Sequence, residues 1–151
     1  MKLAEALQQR SDMAKRLDQL KARLLRNAKV QEGDTPAEDP QALLAEHARI
    51  AAELEVLIAR INHTNGQTVL DKGTLTDALA RRDVLGLRQA LYRDLAEAAT
   101  VTQMLGTRSE VRFRSAVPVP EVQKQADALA QELRQLDSRI QETNWQTMLV
   151  K

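Results

Sequence analysis

The chain is expected to be all-α, on three observations. Hydrophobic residues make up 43% of its 151 residues, chiefly Leu and Ala, whereas aromatics reach only 2%. Leu and Ala are strong helix formers, while strands favour β-branched and aromatic side chains. Long stretches also repeat apolar residues in alternating three- and four-residue steps, the spacing of packed helices. The predicted architecture is a single domain over residues 1–151: an antiparallel, coiled-coil-like bundle of four long helices with a short β element in the connectors.

The first helix begins near Lys2. Its stripe is Leu3, Ala6, Met13, Leu17, Leu20 and Leu24, with Arg10 on the seam and Leu7, Ala14, Leu25 and Ala28 widening it. A buried lone arginine is costly, so Arg10 is expected to pair with an acidic residue or to point into an interface. "NAKVQEGDTPAED" (Asn27 to Asp39) then breaks the period with Gly33 and Pro36. Pro40 fits the first position of the second helix and Asp39 its N-cap. The seam there is Leu43, His47, Ile50, Leu54, Leu57, Ile61 and Thr64, followed by Gly66.

"VLDKGTL" predicts a small hairpin, with Asp71 to Gly73 as its turn. Thr74 or Thr76 caps the third helix, whose stripe is Leu79, Leu87, Leu91, Leu95, Ala98 and Leu105, ending at Gly106. Val84 and Leu85 face elsewhere, which predicts a broad buried surface or a register change. In "EVRFRSAVPVP", Val111, Phe113, Ser115 and Val117 alternate with their neighbours as in a short strand, with Lys29 to Gly33 as the expected pairing partner. Pro118 and Pro120 end that strand and prepare the fourth helix, with seam Val122, Ala126, Leu129, Leu133, Leu136, Ile140 and Thr143. Helices of roughly 22–26 residues would be about 33–39 Å long.

A phrase recurs: "RINHTN" (Arg60 to Asn65) and "RIQETN" (Arg139 to Asn144). A shift of 79 positions lays the second helix on the fourth without a gap, matching Leu43 to Val122, Ile50 to Leu129 and Leu57 to Leu136. Residues 29–39 then overlay 108–118. Any two seamed helices align on their leucines, and the first and third helices match poorly under this shift. The preferred reading is an internally duplicated helical hairpin. Arg60, Thr64, Asn65, Arg139, Thr143 and Asn144 are therefore singled out as a structural motif. Asn tolerates the left-handed conformation in which helices often stop, so both helices should end within two residues of Asn65 and Asn144. Trp145 is expected to fold back over Ile140, and Arg60 and Arg139 to reach terminal carbonyls or carboxylates.

The chemistry-bearing residues form no catalytic pattern. There is no cysteine, which excludes disulfides and thiolate ligands and fits a reducing cytoplasm. His47 and His63 lie about 24 Å apart along one helix, too far to share an ion. Glu32, Asp34, Glu38 and Asp39 lack the spacing of a calcium loop. No phosphate-binding glycine loop or nucleophile elbow is present. The adjacent Arg81 and Arg82 suggest a solvated or salt-bridged face, with an anion site as the alternative. Charge is balanced at a formal +1, which gives no footprint for nucleic acid. No run of eighteen apolar residues suggests a membrane span, and the charged start does not suggest a secretory signal.

The blocks "MKLAEAL", "VQEGDTPAEDP", "LTDALARRDVL", "RINHTN" and "RIQETNW" resemble a bacterial septicolysin-like family, over nearly the whole chain. That resemblance implies a mostly helical protein with no catalytic residues to carry over, and its label implies a haemolytic toxin. The expected function is a non-enzymatic, oligomerising or scaffolding helical protein, cytoplasmic, with no cofactor and no metal. Its expected partner is a second copy of itself, in a dimer or a multiple of one, because the narrow stripes leave apolar surface to cover. A membrane-active lysin is the alternative, and a small-ligand binder in an oligomer cleft is the third.

Overall fold

A computed structural model describes residues 1–101 and 111–151. Four helices dominate: α1 (Leu3–Arg26), α2 (Pro40–Gln67), α3 (Leu75–Ala99) and α4 (Val119–Gln146). Between α2 and α3 the strands β1 (Val69–Leu70) and β2 (Gly73–Thr74) pair antiparallel, with Val69 opposite Thr74 and Leu70 opposite Gly73. The chain is all-α with this minor hairpin, as its Leu- and Ala-rich composition predicts. It divides into two compact units, Met1–Thr74 with Glu142–Lys151, and Leu75–Gln141.

In the first unit, Leu20, Leu43 and Ile50 form a buried cluster against which Met13, Leu17 and Leu24 pack. The seams read from the sequence place these residues, but not Arg10. Its side chain is exposed, so the middle of α1 turns a polar face outward. The connector to α2 is held by named polar groups. Asn27 donates from Nδ2 to the Arg23 carbonyl at 2.9 Å, and its Oδ1 accepts from the Glu38 amide at 3.1 Å. The Arg23 guanidinium forks onto the Glu38 carboxylate, with Nε 3.1 Å from both oxygens. Asp39 accepts the Gln41 amide at 3.0 Å with Pro40 behind it, the N-cap arrangement expected there. Gly33 has φ 88°, where a side chain would be strained.

The expected strand over Val111–Val117 is not formed. These residues are irregular, as are Lys29 to Gly33, so neither segment pairs with the other. Alternation alone does not make a strand: Arg112, Phe113 and Arg114 are all exposed, and Pro118 and Pro120 supply no backbone donor. The β element lies in "VLDKGTL", where Asp71 at φ 54° makes the turn. α3 stops at Ala99, earlier than expected. Thr100 closes it, its amide donating to the Glu97 carbonyl at 3.2 Å and its hydroxyl to the Ala96 carbonyl at 2.8 Å. Leu105, Gly106 and residues 108–110 of the connector overlay lie outside the described residues.

α2 and α4 carry the repeat. Each has 28 residues, and their bounds differ by 79 at both ends (119 − 40 and 146 − 67). Burial follows the same register: Leu43 and Val122, Ile50 and Leu129, Leu57 and Leu136, and Ile61 and Ile140 are all buried. The bounds of α1 and α3 do not differ by 79, but their inner faces follow the same shift, with Ala6 over Leu85, Met13 over Tyr92, Leu17 over Ala96 and Leu20 over Ala99, each buried or half-buried.

Candidate functional site

The first copy of the repeated phrase lies at the end of α2. Thr64 is 1% exposed and its hydroxyl donates to the Arg60 carbonyl at 2.8 Å. The same oxygen accepts the Val150 amide at 3.1 Å, while Arg60 Nε donates to the Val150 carbonyl at 2.8 Å. The α2 ending thus grips the C-terminal segment. That segment also pairs with the N-terminus: the Leu3 amide donates to the Thr147 carbonyl at 2.9 Å and the Leu149 amide to the Met1 carbonyl at 3.0 Å. Lys2 Nζ adds a bond to the Gln146 carbonyl at 3.1 Å. In α4, Arg139 is exposed, Thr143 is half-buried and Asn144 is buried.

Both helices end two residues past the asparagines, at Gln67 and Gln146, but not by the expected device. Asp71 is the non-glycine residue with positive φ among those described, so Asn65 and Asn144 are not left-handed. α2 instead closes with the Thr68 amide and hydroxyl donating to the Thr64 carbonyl, at 3.0 and 2.7 Å. Trp145 does not fold inward and is largely exposed.

The arginine pair on α3 is salt-bridged, as read. Arg81 pairs with Glu132 on α4, and Arg82 with Asp137 at 3.3 Å. These pairs explain a feature of α3 that apolar counting misassigned. Its buried or half-buried face is Leu75, Ala78, Arg82, Leu85, Gln89, Tyr92, Ala96 and Ala99, a three–four repeat that accepts two long polar side chains. Three of the leucines expected to face inward, Leu87, Leu91 and Leu95, lie on another face, while Leu79 is half-buried. Leu87 is 72% exposed, Leu91 63% and Leu95 37%, with Val84 and Ala98 exposed beside them. At 1.5 Å per residue, this outer stripe runs about 21 Å along the helix. Its C-terminal end opens into a shallow groove lined by Leu95, Ala98, Val101, Phe113 and Val117. α2 also exposes Leu44, Ala45, Ala48, Ala52 and Val56, with three alanines between the two larger side chains.

Among the described residues no cluster of three or more His, Asp or Glu side chains could hold a metal ion. His47 is half-buried on α2 and His63 is exposed. Among the described helices none is long and apolar enough to cross a membrane. Carboxylates are perturbed in the first unit, where the hydrogen bond from Arg23 holds Glu38 below its ordinary value. The bond from Arg16 does the same for Glu46.

What these features define is an all-α protein with an exposed apolar face on α3. The family model described as a family of unknown function (DUF6847) matches residues 10–149, and the chain belongs to that family. A solved structure described as a functionally unknown conserved protein from Corynebacterium diphtheriae is 44% identical. That match covers 99% of each chain, with a TM-score of 0.94. No curated protein matches. These findings correct the septicolysin-like resemblance: the blocks from "VQEGDTPAEDP" to "RIQETNW" lie within the residues that match DUF6847, and neither match carries a septicolysin link. The lytic expectation took its basis from that label and loses it.

Proposed function

We propose that this protein is a non-enzymatic, cytoplasmic assembly protein that associates with copies of itself, as a dimer or a multiple of one. The observation that carries this reading is the α3 face of Val84, Leu87, Leu91 and Leu95, each exposed and all on one side of the helix. Large apolar side chains in helical register are costly to leave in water, at about 25 cal/mol per Å² of apolar surface. A like surface on a second copy removes the cost for both chains at once. The cytoplasmic assignment is supported by the absence of cysteine.

Light scattering at micromolar concentration tests the reading. The expected mass is at least twice that of one chain, and Leu91→Glu should bring it to one chain with the helical circular dichroism unchanged. A monomeric wild-type protein would refute the proposal.

A further inference from the structure

We infer that the partner docked on α3 is a second copy of this chain running parallel, with a two-fold axis along the helix and Asp83 of each copy beside Arg88 of the other. This deepens the self-association proposed above and rests on it.

The argument starts from the edges of the stripe. At about 100° per residue, Leu91 marks the centre of the outer face. Arg88 and Arg81 fall about 60–80° to one side of it, and Asp94 and Asp83 the same angle to the other, with Glu97 beyond them. All five side chains are exposed. The apolar stripe is therefore bordered by a basic edge and an acidic edge. Arg81 is engaged with Glu132, while Arg88 has no ion-pair partner among the described residues. Asp83 lies 3.8 Å from its own neighbour Arg82, which is itself directed to Asp137.

Symmetry then chooses the direction. In an antiparallel pair related by a two-fold axis across the helices, each edge meets its own kind: acid faces acid and base faces base. In a parallel pair the axis runs along the helices, and the acidic edge of one copy meets the basic edge of the other. Asp83 and Arg88 are five residues apart, the offset at which flanking charges of parallel helices meet across the seam. The seam supports the same choice. Val84 and Leu87 take the inner positions in the order, β-branched then leucine, that suits two parallel strands. Asp94 falls at the next inner position and Leu95 to one side, so the helices are closest over Val84, Leu87 and Leu91 and diverge beyond.

Cross-linking and a charge swap test this on the full chain. The protein has no cysteine, so Leu87→Cys introduces one thiol. In the parallel pair the two Cys side chains face each other, and glutathione disulfide should convert the protein to a covalent dimer on a non-reducing gel. In an antiparallel pair centred on Leu91 the same positions would be about 12 Å apart along the axis, beyond disulfide reach. Asp83→Arg should weaken the dimer about threefold to tenfold, and adding Arg88→Asp should restore it, since each copy contributes one modest ion pair. A wild-type dimer in which Leu91→Cys cross-links but Leu87→Cys does not overturns the parallel arrangement and leaves self-association standing. A dimer indifferent to Asp83→Arg also overturns it. A monomeric wild-type protein overturns both.

Discussion

Arg60 Nε lies 2.8 Å from the carbonyl oxygen of Val150, a residue 90 positions further along the chain. Thr64, one turn on from Arg60, holds the amide of that same residue. One turn of α2 therefore satisfies both backbone groups of Val150. With the Met1–Leu149 and Leu3–Thr147 bonds, it fixes both chain ends to one unit.

Thr64→Val keeps the shape of the side chain and removes the acceptor. The Val150 amide would lose its partner beside a buried position, and a buried donor left unsatisfied costs about 1–3 kcal/mol. Urea denaturation should show a loss of that size with an unchanged slope against denaturant. Thr68→Val, at a half-buried site where the backbone amide already closes the helix end, should cost less.

Acid should weaken the α1–α2 connector. Arg23, through its hydrogen bond, holds Glu38 below its ordinary value, and Arg16 does the same to Glu46. A carboxylate depressed in the folded state adds stability that is present above its unfolded value, about 4.3, and lost as pH falls through the folded value. The thermal midpoint should therefore drop as pH is lowered from about 5 towards 3. Glu38→Gln should make that slope shallower. Arg23 is itself shifted upward by Glu38, well above this window, and contributes no slope there. An identical slope in the variant would show that the pair is not coupled to folding.

The hairpin offers a conformational test. Asp71 has φ 54°, where β-branched residues are strained by roughly 1–2 kcal/mol, whereas Asn and Gly tolerate it. Asp71→Ile should destabilise by about that amount and Asp71→Gly should not. Paired thermal melts would distinguish them.

Much of the fold was legible in the sequence, for reasons specific to its residues. Asp39 and Pro40 marked a helix start because their chemistry suits only those positions. "VLDKGTL" marked a hairpin because Asp71 tolerates positive φ. The seams of α2 and α4 were legible because large aliphatic side chains recur there at three- and four-residue steps over the whole helix. On α3 two faces repeat with the same spacing, and counting leucines selected the exposed one. The buried face contains Arg82 and Gln89, and Arg82 is accommodated by Asp137, a partner that no single helix reveals. The same limit hid the role of Thr64, whose partner Val150 is distant in sequence, and it made Val111–Val117 look like a strand when Lys29 to Gly33, its expected partner, is irregular.

The 79-residue register makes the sharpest stability prediction. Ile61 and Ile140 occupy equivalent positions in helices of equal length, and each is 0% exposed. Truncating a buried isoleucine removes its transfer energy and leaves a cavity, at about 2–5 kcal/mol. Ile61→Ala and Ile140→Ala should therefore cost similar amounts. Leu54→Ala and Leu133→Ala, at equivalent half-buried positions, should both cost less. Such a match would mean that the two helices repeat in packing as well as in letters. If Ile61→Ala and Ile140→Ala differ by more than about 2 kcal/mol, a large fraction of the stability of a small domain, the shared register is only a likeness of sequence.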